Sequence, residues 1–341
     1  MILFSRTASL VLAISDIQSA LSPAGEQGAS ITRLWWIYFW VLTAIFILVA
    51  IFLFLAMLPR RKGPVEAGPG AIEQPPAPQE RSLAKVVIGA VIASIVVLFV
   101  LLFVDFFAGR SIYALNDQNT GDANALTIKI TGHQWWWQVD YENKAEPSKM
   151  MTTANELHVP VGRPVKLTLQ SSDVIHSFWV PNMHGKKDLV PGHPTEMWLT
   201  ATRAGTFRGQ CAEFCGLQHA HMRLIFVADT PEQFEKWMQS SSTDAPPPTD
   251  TLARGRDVFM SNQCMMCHTI NGTNARATVG PDLTHIASRP MLAAGAIPNT
   301  RGYLAGWIAN PQNIKPGVRM PPNTLPSDDL NALLDYLESL K

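Results

Sequence analysis

Cysteine is scarce in this chain, with four in 341 residues: Cys211, Cys215, Cys264 and Cys267. They form two close pairs inside short motifs rich in other metal-binding side chains, so none is left over for a structural disulfide. Net charge is missing too: 27 Lys and Arg offset 27 Asp and Glu. That balance points to no polyanionic partner such as a nucleic acid. Two stretches, residues 34–58 and 86–104, contain no charged residue and no histidine.

The first uncharged stretch has 25 residues and the second 19. At about 1.5 Å per residue the first crosses a hydrocarbon layer of roughly 30 Å. Trp35, Trp36, Tyr38 and Trp40 crowd its start, as aromatics do at a membrane interface. Between the spans lie Arg60, Arg61, Lys62, Arg81 and Lys85, around a Pro/Gly/Ala-rich connector at 63–79. Basic loops stay in the cytoplasm, so everything after Arg110 faces outward. Residues 31–108 thus read as a transmembrane hairpin. Residues 1–30, with Arg6 and a short apolar run at 10–14, read as a signal sequence or a plain flexible terminus.

From 109 to 240 the pattern is β. Residues 126–130, 165–169 and 197–200 alternate, and Gly or Pro punctuates them. An all-β sandwich or barrel is expected, followed by a helix that Thr230 caps, with Pro231 first and Gln233 third. Residues 241–250, rich in Ser and Pro, read as a linker that is flexible at its serine end. Residues 251–341 read as a small helical domain. Its last helix, capped by Ser327, would bury Leu330, Leu333, Leu334, Leu337 and Leu340.

Within 211–222 stand Cys211, Glu213, Cys215, His219, His221 and Met222, and His176 follows Asp173 upstream. Thiolate, imidazole and thioether together suit a soft electron-transfer metal, copper above all. A zinc or disulfide loop is the plainer alternative, but a closed zinc site does not call for methionine. Cys-x-Glu-x-Cys-x-x-x-His-x-x-Met, preceded by Asp-x-x-His-Ser-Phe, resembles the binuclear copper A site of subunit 2 of haem-copper cytochrome c oxidases. The resemblance implies a cupredoxin-like barrel and six ligands: His176, Cys211, the Glu213 carbonyl, Cys215, His219 and Met222. It also implies magnesium near the Glu213 carboxylate, at a border with subunit 1. His221 does not match the family spacing, and Asp173 reads as a turn or supporting residue.

The run Gly132-His133-Gln134-Trp135-Trp136-Trp137 resembles the aromatic motif of the same family, in which the first tryptophan accepts electrons bound for copper. Here that is Trp135. Three consecutive tryptophans cannot share one core face of a strand, so at least one is expected to be exposed; a membrane-interface belt is the bland reading. The family's Leu-Glu-x-x-Trp-Thr stretch, whose glutamate marks proton uptake, is replaced by residues 79–85, with Glu80 the available acid.

Cys264-Met265-Met266-Cys267-His268 is the C-x-x-C-H attachment motif of c-type haem, with a thioredoxin-like or zinc site as the alternative. Cys264 and Cys267 would bind haem covalently and His268 its iron. Met320, flanked by Pro316 and Pro321, is the candidate second axial ligand, which suits electron transfer. Met260, Met265, Met266 and Met291 are rivals. The segment resembles a class I cytochrome c domain. His133, His158, His184, His193 and His285 read as structural or surface residues.

The resemblance as a whole implies an electron-input subunit of a respiratory cytochrome c oxidase. It would sit in a bacterial inner membrane with its copper and haem domains outside. Partners would be subunit 1, other oxidase subunits, the lipid bilayer and an external donor, either a cytochrome c or a quinol-oxidising complex. Oxygen chemistry needs several histidines, which the spans lack, so it would finish in another chain. A nitric oxide reductase subunit with the same copper site, or a membrane-anchored carrier with no enzyme attached, are the alternatives.

Overall fold

The computed structural model describes residues 16–58, 77–119, 122, 124–142 and 150–341. It forms two units: Ser30–Ala114, and the residues up to Ala29 joined with Leu115–Lys341.

The smaller unit holds most of two helices, α1 (Glu26–Met57) and α2 (Ala77–Asn119). Their most apolar windows are 0% and 6% buried, the reverse of a soluble core helix and the expected state of a lipid-facing one. Both helices outrun the uncharged stretches, because main-chain hydrogen bonding continues where apolar side chains stop. Trp35, Trp36, Phe39 and Trp40 stack on one another near the start of α1. Tyr38 Oη donates to Leu101 O at 3.4 Å, tying α1 to α2. Arg6, the 10–14 run and the basic triplet at 60–62 lie outside the described residues. Glu80 falls on α2, with its side chain outside the described part.

In the larger unit residues 16–29 pack on the β-domain. Ala24 is fully buried, donates to Asn182 O at 2.7 Å and accepts from Thr202 N at 2.7 Å. A Cβ on Gly25 would meet Met183 O at 2.7 Å. Only glycine lets the chain lie that close, a contact no local pattern announces.

Two five-stranded sheets follow. The first has the order β3 (Met151–Ala154), β2 (Trp136–Tyr141), β1 (Leu126–His133), β5 (Pro164–Ser171), β8 (Thr195–Thr200). The second has the order β4 (Glu156–Pro160), β10 (Arg223–Asp229), β9 (Gly205–Cys211), β6 (His176–Trp179), β7 (Lys187–Leu189). Alternation does the work expected of it: Val165, Leu167 and Leu169 of β5 all enter the core while their neighbours face outward. The chain is thus a multidomain membrane protein with a cupredoxin-like β-domain and a helical C-terminal domain. The helix α3 (Pro231–Ser241) carries the expected capping box, Thr230 and Gln233 each accepting from the other's main chain.

The tryptophan expectation needs adjustment. Trp135 sits in the turn between β1 and β2, which frees it from strand alternation, and is 9% exposed. Trp137 enters the core, and Trp136, half-buried on the other face, stacks on His133 at 4.3 Å. None of the three forms an exposed belt.

The C-terminal domain comprises α4 (Asp250–Ser261), the single turn α5 (Cys264–Cys267), the ribbon β11–β12 (Met291–Leu292, Ile297–Pro298), α6 (Arg301–Ala309) and α7 (Ser327–Ser339). Val258, Phe259, Leu333, Leu334, Tyr336 and Leu337 join in its core. Ser327 does not cap α7: Pro326 holds the cap position with no side-chain bond, and Ser327 is the first helical residue. The linker is also more ordered than its composition suggests. Ala245 is buried, donates to Asn271 O at 3.0 Å and sits beside Gly272.

Helices α4 and α7 cross at Gly255, where an added Cβ would run into the main-chain oxygen of Ala332. Gly255→Ala is therefore expected to destabilise this domain by about 1–3 kcal/mol, as overpacking does, despite alanine's better helix propensity. Thermal unfolding of the full chain, followed at the domain's own chromophore, checks this; an unchanged midpoint would contradict the crossing.

Candidate metal centres

Cys211 ends β9, and the loop that carries Cys215, His219 and Met222 runs from there to β10, so two strands hold both ends of the site. Cys211 Sγ lies 3.7 Å from Cys215 Sγ, 3.2 Å from Glu213 O and 3.8 Å from His176 Nδ1. Cys215 Sγ lies 3.5 Å from His219 Nδ1 and 3.9 Å from Met222 Sδ. The sulfurs are far beyond disulfide length, and both thiols are free. All six sequence-predicted donors therefore meet in one cluster, with His176, Cys211, Cys215 and Met222 buried and Glu213 and His219 half-buried. His176, Cys211 and Cys215 place their ligand atoms within 4.8 Å of one another.

The cluster is electrostatically prepared. The bond from Cys215, with help from His176, overcomes burial and holds the Cys211 thiol well below its ordinary range. The bond to Cys211 and burial then push Cys215 up, since a second anion beside the first is unfavourable. Buried soft donors arranged this way fit a copper pair better than a hard cation.

Asp173 orients the cluster without joining it. Its Oδ1 meets His176 Nε2 at 2.8 Å, which turns Nδ1 toward the sulfur. Burial opposes ionisation of Asp173, but His176 and the N–H groups of Gln134 and Val174 outweigh it and hold the carboxyl below its usual range. Burial likewise pulls His176 down, but Asp173 and Cys211 outweigh it and raise it. Gly132 on β1 makes room for this imidazole: a Cβ there would stand 2.8 Å from His176 Cδ2. The Glu213 carboxylate faces away from the sulfurs, to Lys186 Nζ at 3.1 Å, which also reaches Asp188 at 3.4 Å. His221 is exposed and bonds Gln218 Oε1 at 2.8 Å, apart from the thiols.

A cavity of about 280 Å³ in the larger unit is lined by Cys264, Cys267, His268, Met291, Met320 and Trp135, among others. His268 Nδ1 pairs with Pro281 O at 2.8 Å, leaving Nε2 for a metal. Burial holds this imidazole below its ordinary range and so neutral, as a ligand must be. Gly280 packs on the ring, where a Cβ would come within 2.7 Å of His268 Cε1. Arg289 is buried in the cavity wall with its Nε unpartnered among the described residues, which suits a carboxylate-bearing group such as haem. Of the rival methionines, Met260 and Met265 pack into the helical core, and Met266 is 71% exposed at the rim. Met291 shares the wall with Met320. His133, read as structural, also lines this cavity. His158, between Glu156 and Asp229, keeps its structural reading, and burial takes His184 down to about 4.

The two sites meet at one indole. Trp135 Nε1 donates to Cys215 O at 2.9 Å, beside Gln134 Nε2 on the same carbonyl at 2.8 Å. From the other side, Lys315 Nζ donates to Trp135 O at 2.7 Å. Gln218 Nε2 donates to Pro316 O at 2.7 Å, and Arg223 N to Ala294 O at 3.0 Å. Gly317, at φ +89°, brings its main chain against Trp135 and Leu217, where a side chain would be strained. Lys315, Gln134 and Gln218 escaped the sequence reading. A lone lysine or glutamine in a loop carries no signal of the surface it will meet.

Comparison with known proteins gives the family and the two domains. A family profile described as cytochrome c oxidase subunit II, periplasmic domain, matches residues 144–229. A second, described as cytochrome c, matches residues 252–341. Together these domains imply copper A and haem. The chain is 36% identical to cytochrome c oxidase subunit 2 of Alkalihalophilus pseudofirmus over 335 residues, covering 95% of this chain and 91% of that one. It is 30% identical to the subunit of the same name from Bacillus subtilis, over 64% of this chain and 63% of that one. Among solved structures, the periplasmic domain of subunit II of cytochrome oxidase from Bradyrhizobium japonicum matches at 31% identity and a TM-score of 0.32, covering 34% of this chain and 92% of that one. The chain belongs to the cytochrome c oxidase subunit 2 family, in a form that carries a cytochrome c domain at its C-terminal end.

Proposed function

We propose that this chain is the electron-input subunit of a respiratory cytochrome c oxidase, accepting electrons at a c-type haem and passing them by way of a copper A pair to the oxygen-reducing subunit 1. The observation that carries the reading is Trp135, which bonds the carbonyl of Cys215 while lining the cavity behind Cys264, Cys267 and His268. When bound, the two cofactors supply reversible one-electron transfer. The chain's own part is to hold them across that indole and keep water out.

His176 Nδ1, Cys211, Cys215, His219 Nδ1, Met222 and the Glu213 carbonyl would hold the copper pair, with Asp173 fixing the first imidazole. Cys264 and Cys267 would attach the haem, with His268 and Met320 on its iron. The Glu213 carboxylate, already paired with Lys186, gives magnesium no support within this chain. The two apolar helices support membrane anchoring; a bacterial inner membrane, with both domains outside and subunit 1 beside the helices, belongs to the same proposal. An external cytochrome c or quinol-oxidising complex would supply electrons.

Detergent purification followed by visible and near-infrared spectra and an oxygen-electrode assay tests the reading. A polytopic haem partner and oxygen uptake are expected. A preparation that reduces nitric oxide but not oxygen would replace it.

Met320→Ala is expected to leave the haem covalently attached, remove the sulfur-to-iron charge-transfer band and lower the potential. If Met291→Ala does this instead, the second ligand lies on the β11–β12 ribbon.

A further inference from the structure

Lys315 is 1% exposed, at the junction of the two domains. Its Nζ donates to Trp135 O at 2.7 Å and to Ala293 O at 3.0 Å. It therefore ties together the Met320 loop, the turn of the β11–β12 ribbon and the β1–β2 turn. Burying an ammonium is costly, and an apolar side chain of similar length would fill the same space. What lysine adds is directed donation to two carbonyls from different domains, together with a charge on the cavity wall.

We propose that Lys315 is a positioning residue that latches the Met320 loop onto the main chain of Trp135, and that its charge tunes the potential of the haem held in the cavity it lines. The proposal rests on the function argued above and adds a residue to it.

Burial takes the ammonium down to about 7, with Arg223 adding to that effect and Cys215 opposing it. Around the same cavity stand His133, His268, Arg289 and Arg319. Burial lowers His133, so its own step falls at lower pH; His268 would be held on iron, and the two arginines keep their charge near neutrality. The sign follows. A positive charge on the wall favours the reduced haem, so the midpoint potential should fall as pH rises through about 7.

The test uses the purified, fully loaded complex with Lys315→Met and Lys315→Gln. The unaltered protein should show the pH-dependent fall between pH 6 and 9; both variants should be flat and sit at its high-pH level. Lys315→Met, which keeps the length but no donor, should also speed amide exchange in residues 134–137 and 293–296. It should measurably slow haem-to-copper transfer, because the carbonyls of Trp135 and Ala293 are left unpaired and the Met320 loop is no longer held on the indole's main chain. Lys315→Gln, which keeps a donor, should retain slow exchange. A pH step that survives both substitutions, or wild-type exchange and transfer in Lys315→Met, overturns the proposal. Absence of haem-to-copper transfer in the unaltered complex would count against the function instead, and the potential and exchange measurements would still judge Lys315.

Discussion

Cys215→Ser should abolish the mixed-valence electron paramagnetic resonance signal of the oxidised complex, and Cys211→Ser should do the same. The two sulfurs stand 3.7 Å apart in one buried cluster, each flanked by its own imidazole. Two thiolates so placed would hold a copper pair evenly, and the pair would supply one unpaired electron shared between its two metals. A serine hydroxyl is a hard donor that stays protonated, so it neither bridges nor matches its partner. The effect is all-or-none, because no other thiol lies within reach among the described residues. The fold should survive, since Gln134 and Trp135 hold Cys215 through its main-chain carbonyl. Circular dichroism and the haem spectrum provide that control. A Cys215→Ser protein that keeps two coppers and the shared-electron signal would refute the ligand set.

The second large effect is expected at Trp135. Trp135→Ala removes the indole between the sites and opens a void, costing about 3–5 kcal/mol in stability, while leaving every candidate ligand in place. Transfer from haem to copper should slow severely with both spectra intact. Trp135→Phe keeps most of the ring and loses only the bond to Cys215 O, so it should cost about 1 kcal/mol and slow transfer less. Flash-induced kinetics separates the three proteins. The same measurement should find little dependence on ionic strength. The contacts across the junction are hydrogen bonds to main-chain carbonyls and close packing at Gly317 and Leu217. The one ion pair across it among the described residues joins Arg319 to Asp173 at 3.7 Å, with Arg319 68% exposed, a geometry that contributes little. A normal rate without Trp135, or a steep fall with added salt, would rule this route out.

What could be read from the chain beforehand followed from rarity and spacing. Cysteine, histidine and methionine are uncommon, so their grouping at 211–222 and 264–268 carries information that leucine or serine cannot. The Thr230 box and the alternation in β5 are local rules, met within a few residues. What escaped depends on distant surfaces. Residues 241–250 look like a free tether because they offer little to bury, yet Ala245 enters the helical domain's core and its main chain runs against Gly272. Nothing in the sequence singles out Gly255, which is the place where two helices touch. Nothing singles out Lys315 either, and only the fold gives it carbonyls 180 and 22 positions away.

Trp135 is 9% exposed, with Cys215 on one side of it and Lys315 and Gly317 on the other. In the proposed function a contact so thoroughly insulated would behave as a wire joint and not as a terminal. A soluble protein could not touch it without first prying the C-terminal domain away. The two redox sites would then be wired in series and fed at the outer rim of the cavity, where Met266 and Val279 are 71% and 62% exposed. Throughput would be set by how fast that rim is charged, so changes on the copper loop's outer face would alter the wiring without altering the supply.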